Sequence, residues 1–79
     1  MGRYYFHVRN ESGLLSDEEG RDLADLNHAR RVAIKGARSL ICAEVEAGAL
    51  DLRGCIEIAD AAGAVLMVVA FTEAVQVRH

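Results

Sequence analysis

The sequence predicts an α+β fold of order ββαββ, in which one long helix packs on one face of an antiparallel sheet. Three observations lead to this prediction. Residues 3–9 alternate in polarity as a half-buried strand does, residues 26–47 repeat apolar side chains at helical spacing, and residues 55–71 hold two more strand-like runs. With 79 residues the chain has room for one small domain, residues 1–79.

The first strand is predicted from the run RYYFHVR at residues 3–9, whose apolar side chains fall on one face. The other face carries Tyr5, His7 and Arg9. Tyr and Arg around an imidazole make these three residues candidate binding residues, with His7 a possible base or ligand. A hydrogen-bonded surface histidine is the alternative.

A return strand is predicted after the turn residues NESG at 10–13. It begins at residues 14–15, is interrupted by an acidic segment, and resumes at residues 21–23. Gly20 inside this path indicates a bulge or a left-handed residue.

The helix is predicted to begin after Asp25, a short acceptor side chain suited to the N-cap. Its sequence is rich in Ala, which favours a helix, and Gly36 costs it about 1 kcal/mol unless close packing requires a glycine. The helix is expected to end at Ala47, with Gly48 as the left-handed terminator.

Two further strands are predicted, at residues 55–59 and 64–71, joined by a four-residue hairpin loop. The second is apolar on both faces, which is typical of a strand covered on both sides. One helix covers only one face. Either a second molecule lies against the other face, or the tail, residues 72–78, folds back over it.

The predicted core is aliphatic, because only 5% of the residues are aromatic and none is Trp. Such a small core stabilises a chain of this length only marginally, and self-association as a homodimer is the expected addition. The predicted core residues are Tyr4, Phe6, Val8, Leu26, Ala33, Ala37, Leu40, Ile56, Ile58, Leu66 and Val68.

Composition narrows the functional classes. The formal charge of −3 argues against a general nucleic-acid binder, and no apolar run approaches the roughly 20 residues that span a bilayer. Cys42 and Cys55 match no zinc or redox motif and are expected to be reduced and buried. Without a signal-peptide pattern, a cytoplasmic location is expected.

The acidic segment SDEEGRD, residues 16–22, raises the question of a metal site. His7, Asp17 and Glu19 are residue types that a hard cation accepts, and they would serve a metal-dependent hydrolase. The calcium-loop spacing does not occur. The alternative is a solvated loop ahead of the helix, with Asp25 as its cap.

The helix also carries a basic stripe of Arg31, Lys35 and Arg38 at i, i+4 and i+7. Such a stripe would suit phosphates or nucleic acid, and the alternative is a solvated face. No aromatic residue lies among these cations to stack on a base.

Four segments, RYYFHVR, DEEGRDLADL, HARRVAIKGAR and IEIADAAGAVLMVVAFTEAV, resemble a family of very short bacterial proteins of unknown function. Those proteins open R-Y-F-F-H, continue with an acidic D-x-x-G turn and an L-x-D-L helix start, and close on a strand pair ending in F-x-x-A-V. Tyr5 stands where they often have Phe. The resemblance implies the fold and a bacterial cytoplasmic origin, and it implies no mechanism. More loosely, the element order is similar to small antitoxin modules that pair with RNA-cleaving toxins, although this chain has no separate DNA-binding segment.

No arrangement of nucleophile and base appears in the sequence, so an enzyme is not expected and no cofactor is implied. The leading hypothesis is an interaction module that self-associates through its sheet and binds a protein partner. A phosphate or nucleic-acid binder using the basic stripe, and a metal-dependent hydrolase, are the alternatives.

Overall fold

The computed structural model describes residues 2–78 and confirms the α+β fold. Its elements are β1 (Gly2–Asn10), β2 (Gly13–Leu15), β3 (Arg21–Leu23), α1 (Leu26–Glu46), β4 (Cys55–Ala59), β5 (Val65–Ala70) and α2 (Phe71–Ala74). The antiparallel sheet has the order β2-β1-β4-β5, and β3 pairs with the other end of β1.

The interrupted return strand is confirmed. Leu15 in β2 pairs with Val8, and Arg21 in β3 pairs with Tyr4, so both short strands lie along the same edge of β1. Between them, residues 16–20 leave the ladder and form a loop, here called the acidic turn. Gly20 has a φ of 70°, the left-handed conformation that the sequence indicated.

The predicted helix ends are also confirmed. The Asp25 side chain accepts the His28 backbone N–H at 2.8 Å, which satisfies a free amide of the first turn. Ala47 caps the other end, and Gly48 follows with a φ of 90°.

The core lies between α1 and one face of the sheet, and part of its prediction was wrong. Alanines 33 and 37 and isoleucines 56 and 58 are buried as predicted, and residues Tyr4, Phe6, Val8 and Leu26 pack against them half-buried. Leu40, Leu66 and Val68 are 39%, 44% and 51% exposed. On α1 the neighbouring Ile41 takes the buried position instead of Leu40.

The error on β5 is one of phase. Met67 pairs with Ile58 and Val69 with Ile56, so the odd-numbered residues face the helix, whereas Val68 pairs with Glu57 on the opposite face. A strand that is apolar at every position gives no sign of which alternate set is buried.

The tail does not fold back over the sheet. It forms α2, in which Phe71 and Ala74 are buried, on the side of the sheet that α1 covers. Arg38 holds it there through a 2.6 Å hydrogen bond from its Nε to the Ala74 carbonyl. Within residues 2–78, therefore, no element covers the sheet face opposite α1, here called the open face.

The prediction that both cysteines are buried was wrong. Cys42 is exposed on α1, next to the inward-facing Ile41, and Cys55 is half-buried on the open face beside Arg9 and Ala70. Both are free thiols. Partial burial, together with the nearby Glu57 carboxylate, raises the pKa of the Cys55 thiol. Among the described residues, no helix is long and apolar enough to cross a bilayer.

Candidate functional site

Asp17 fastens the acidic turn to β1. Its Oδ2 accepts the Phe6 backbone N–H at 3.1 Å, where the edge strand is interrupted, and its Oδ1 accepts the N–H groups of Glu19 and Gly20 at 3.1 Å each. Burial alone would raise the pKa of Asp17, but these three N–H donors hold it below its ordinary value. The carboxylate thus replaces a missing strand.

His7 fastens the same turn from the open face. Its Nδ1 accepts the Asp17 backbone N–H at 3.0 Å, which requires that this nitrogen be unprotonated. The ring therefore has one nitrogen engaged in holding the turn. A role for His7 in binding or catalysis stays a prediction.

Two more residues of the open face, Arg3 and Tyr5, also contact the acidic turn. Arg3 donates from Nε to the Glu19 carbonyl at 3.0 Å, and its Nη1 lies 3.1 Å from the Asp22 carboxylate. The Tyr5 ring crosses Gly20 so closely that a Cβ there would lie 2.9 Å from Tyr5 Cε2. Tyr5 and His7, two of the predicted binding residues, therefore help to position the turn, and their role in binding stays a prediction.

Arg9, the third candidate of the open face, forms an ion pair instead of joining His7. Its Nε lies 2.7 Å from Glu57 Oε2, and Glu57 is the cross-strand neighbour of His7. The predicted set of Tyr5, His7 and Arg9 does share one face, as the alternation indicated, but each side chain has its own structural contact.

The metal candidates His7, Asp17 and Glu19 are not gathered around a common point. Across residues 2–78, no group of three or more His, Cys, Asp or Glu side chains is arranged to hold a metal ion. Both Asp17 oxygens already accept backbone N–H groups, and Glu19 is exposed. The metal-dependent hydrolase stays a hypothesis without a geometric counterpart in this region.

The basic stripe of α1 divides between two sides of the helix. Arg38 reaches the Ala74 carbonyl of α2, whereas Arg31 and Lys35 line a groove on the opposite flank, between α1 and the β1/β3 edge. The three cations therefore do not act as one surface, because the α2 carbonyl draws Arg38 away.

This cationic groove has a volume of about 680 Å³, within the range of small-molecule sites. Its rim carries the basic side chains of Arg21, Arg31 and Lys35 together with His28. The remaining lining residues are Phe6, Asp17, Val32, Gly36, Ser39 and Ile56. Arg21 belongs here because it pairs with Tyr4, and residues directly opposite in a ladder share a face.

Sequence reasoning found Arg31 and Lys35 but missed Arg21 and His28. The helical spacing of His28, Arg31, Lys35 and Ser39 would have placed these four on one flank of α1. Arg21 carries no such local signal, because only the β1–β3 register brings it to the groove.

These features define a class: a small α+β domain with one sheet face covered by helices, the other open, and a cationic groove at one edge. The chain belongs to the family described as Domain of unknown function (DUF6894), whose model matches residues 3–72. Neither a curated protein nor a solved structure matches the chain. The likeness to small antitoxin modules stays a prediction.

Proposed function

We propose that this protein is a non-enzymatic interaction module that forms a homodimer by pairing β5 with β5 of a second copy. The observation that carries the proposal is the contrast between the two edges of the sheet. An edge strand with free backbone donors and acceptors is a template for further pairing unless charge, proline or a bulge blocks it.

The β2/β3 edge is blocked. The Asp17 carboxylate takes the Phe6 N–H that a further strand would need, and Arg3 and Asp22 form an ion pair there. The acidic turn also stands in the path of a neighbouring strand. Pairing along this edge would require its displacement.

The β5 edge is protected only at its C-terminal end, where Glu73 Oε2 accepts the Ala70 backbone N–H at 2.8 Å. The β5 sequence VLMVVA contains no charge and no proline, and among the strands of residues 2–78 β5 pairs only with β4. The one irregularity of the β4–β5 ladder lies at its start, between Ile58 and Ala59, so residues 67–70 continue regularly. Val65, Leu66 and Val68 are about half exposed.

A second copy fits this edge better than a charged partner does. Two β5 strands related by a twofold axis would pair antiparallel, and each would meet an uncharged strand although the chain as a whole carries a charge of −3. Burial of apolar β5 side chains between the two copies would also add to the stability of a core in which five of the eleven buried apolar residues are alanines.

The test is the oligomeric state of wild type and of two matched variants, measured by sedimentation equilibrium over a wide concentration range. Val68→Lys puts a charge on β5, and Leu50→Lys puts the same charge at an equally exposed apolar residue outside the strands (51% and 52% exposed). We expect dimers for wild type and Leu50→Lys, and monomers of unchanged circular dichroism for Val68→Lys.

A wild type that stays monomeric at every concentration would overturn the proposal, as would equal dissociation by both lysines. Hydrogen exchange adds a readout that needs no variant: the β5 amides should gain protection as the protein concentration rises. If the protein stays monomeric and its β5 amides gain protection only when another protein is added, the β5 edge pairs with a strand of that protein and the homodimer is excluded.

A further inference from the structure

The cationic groove gathers positive charge that the rest of the molecule does not neutralise. Arg3, Arg9, Arg30 and Arg53 each form an ion pair with a carboxylate. Among residues 2–78, no ion pair involves Arg21, Arg31 or Lys35, although acidic residues outnumber Lys and Arg by twelve to nine. These three unpaired cations all line the same groove.

The carboxylate in the groove, Asp17, offsets only one of these three positive charges. Asp17 accepts three backbone N–H groups and forms no ion pair with Arg21, Arg31 or Lys35. His28, one turn before Arg31, adds a ring that can donate a hydrogen bond. The rim therefore offers several donors to an anion and few acceptors to a cation.

Below the rim the groove is apolar. Phe6, Val32 and Ile56 line it, and Gly36 leaves room, since a Cβ there would still lie 3.8 Å from Ile56 Cδ1. A ligand with an apolar body and an anionic head would satisfy both parts. A bare anion would leave the apolar part in contact with water.

We infer that this groove binds a phosphate monoester with an apolar or aromatic body. Two arginine forks and an ammonium group match the oxygens and the near-double charge of a phosphate better than the single charge of a carboxylate. An extended nucleic acid is disfavoured, because the exposed carboxylates of Glu18 and Glu19 follow Asp17 in the acidic turn and would repel further phosphates.

The experiment follows amide shifts by NMR while phenyl phosphate is titrated into the full chain, with inorganic phosphate, benzoate and a single-stranded RNA oligonucleotide in parallel. We expect phenyl phosphate to shift the amides around Arg21, Arg31 and Lys35 and to bind more tightly than inorganic phosphate or benzoate. Arg31→Gln and Lys35→Gln should each weaken it by about tenfold.

Arg78→Gln is the matched control, because it removes the same charge from an exposed residue outside the groove. Its affinity for phenyl phosphate should equal that of wild type. Equal weakening in all three variants would reduce the effect to overall charge and overturn the inference. So would the absence of phenyl phosphate binding, tighter binding of benzoate, or tighter binding of the RNA oligonucleotide, which would indicate a nucleic-acid surface. None of these outcomes depends on the β5 dimer.

Discussion

The Asp17 carboxylate stands where a strand residue would otherwise pair with Phe6, accepting the Phe6 backbone N–H at 3.1 Å. A side chain from a loop thus completes the ladder of β1 across the gap between β2 and β3. The same carboxylate binds the N–H groups of Glu19 and Gly20, so that one residue both shapes the acidic turn and joins it to the sheet.

Removal of this carboxylate should therefore destabilise the fold. We expect Asp17→Ala to lower the free energy of unfolding by about 1–3 kcal/mol, because it leaves the part-buried Phe6 N–H without an acceptor. Urea unfolding at one protein concentration measures this change in the free energy of unfolding. Glu18→Ala, at the exposed neighbour, should stay within about 0.5 kcal/mol of wild type. Equal effects of the two variants would contradict the role assigned to Asp17.

The contribution of Asp17 should also depend on pH. Its folded pKa lies below the ordinary value of 3.8, so the ionised form stabilises the fold. That stabilisation is complete above the unfolded pKa and is lost as the pH falls through 3.8 toward the folded value. The difference in free energy of unfolding between wild type and Asp17→Asn should be constant near neutral pH and shrink on acidification. A difference that grows in acid would refute this assignment.

The tautomer of His7 is a further prediction. Since Nδ1 accepts the Asp17 N–H at 3.0 Å, the neutral ring must carry its proton on Nε2. Long-range ¹H–¹⁵N correlation spectra at neutral pH should show this form. His7→Ala both assigns the ring signals and removes the acceptor, so the Asp17 amide should exchange faster in that variant. A protonated Nδ1 in the neutral ring would exclude the hydrogen bond.

Much of the fold was predictable because its signals are local. The alternation in β1, the acceptor side chain of Asp25 and the left-handed Gly48 each act within a few residues, and all three are found as predicted. The phase of β5 was not predictable, because a strand apolar at every position packs equally well in either phase until the register with Ile56 and Ile58 decides it.

The candidate site was less predictable than the fold, because its residues meet through the register of the sheet. Helical spacing alone grouped Arg38 with Arg31 and Lys35, and no local pattern foretold that the Ala74 carbonyl would attract Arg38. Arg21 reaches the groove only because β3 pairs with the opposite end of β1 from β2. Contacts between residues that are far apart in the chain leave no fixed spacing in a single sequence from which they could be predicted.

Two glycines should respond in opposite directions to the same substitution. A Cβ on Gly54 would lie 2.6 Å from Phe71 Cε2 and 2.7 Å from the Arg9 carbonyl oxygen. The Phe71 ring is buried, and Arg9 is held in the β1–β4 ladder by its pairing with Cys55, so neither neighbour can retreat cheaply. Gly54→Ala should therefore destabilise the protein by about 1–3 kcal/mol or more, as overpacking does.

Gly36 lies in the middle of α1, where a Cβ would meet Ile56 Cδ1 at 3.8 Å, an ordinary contact. Close packing does not require glycine there, and alanine is the better helix former by about 1 kcal/mol. Gly36→Ala should thus raise the urea midpoint, whereas Gly54→Ala lowers it, both measured at one protein concentration because dimerisation would shift the apparent stability. If both variants shifted the midpoint in the same direction, the close approach at Gly54 or the free space at Gly36 would be misassigned.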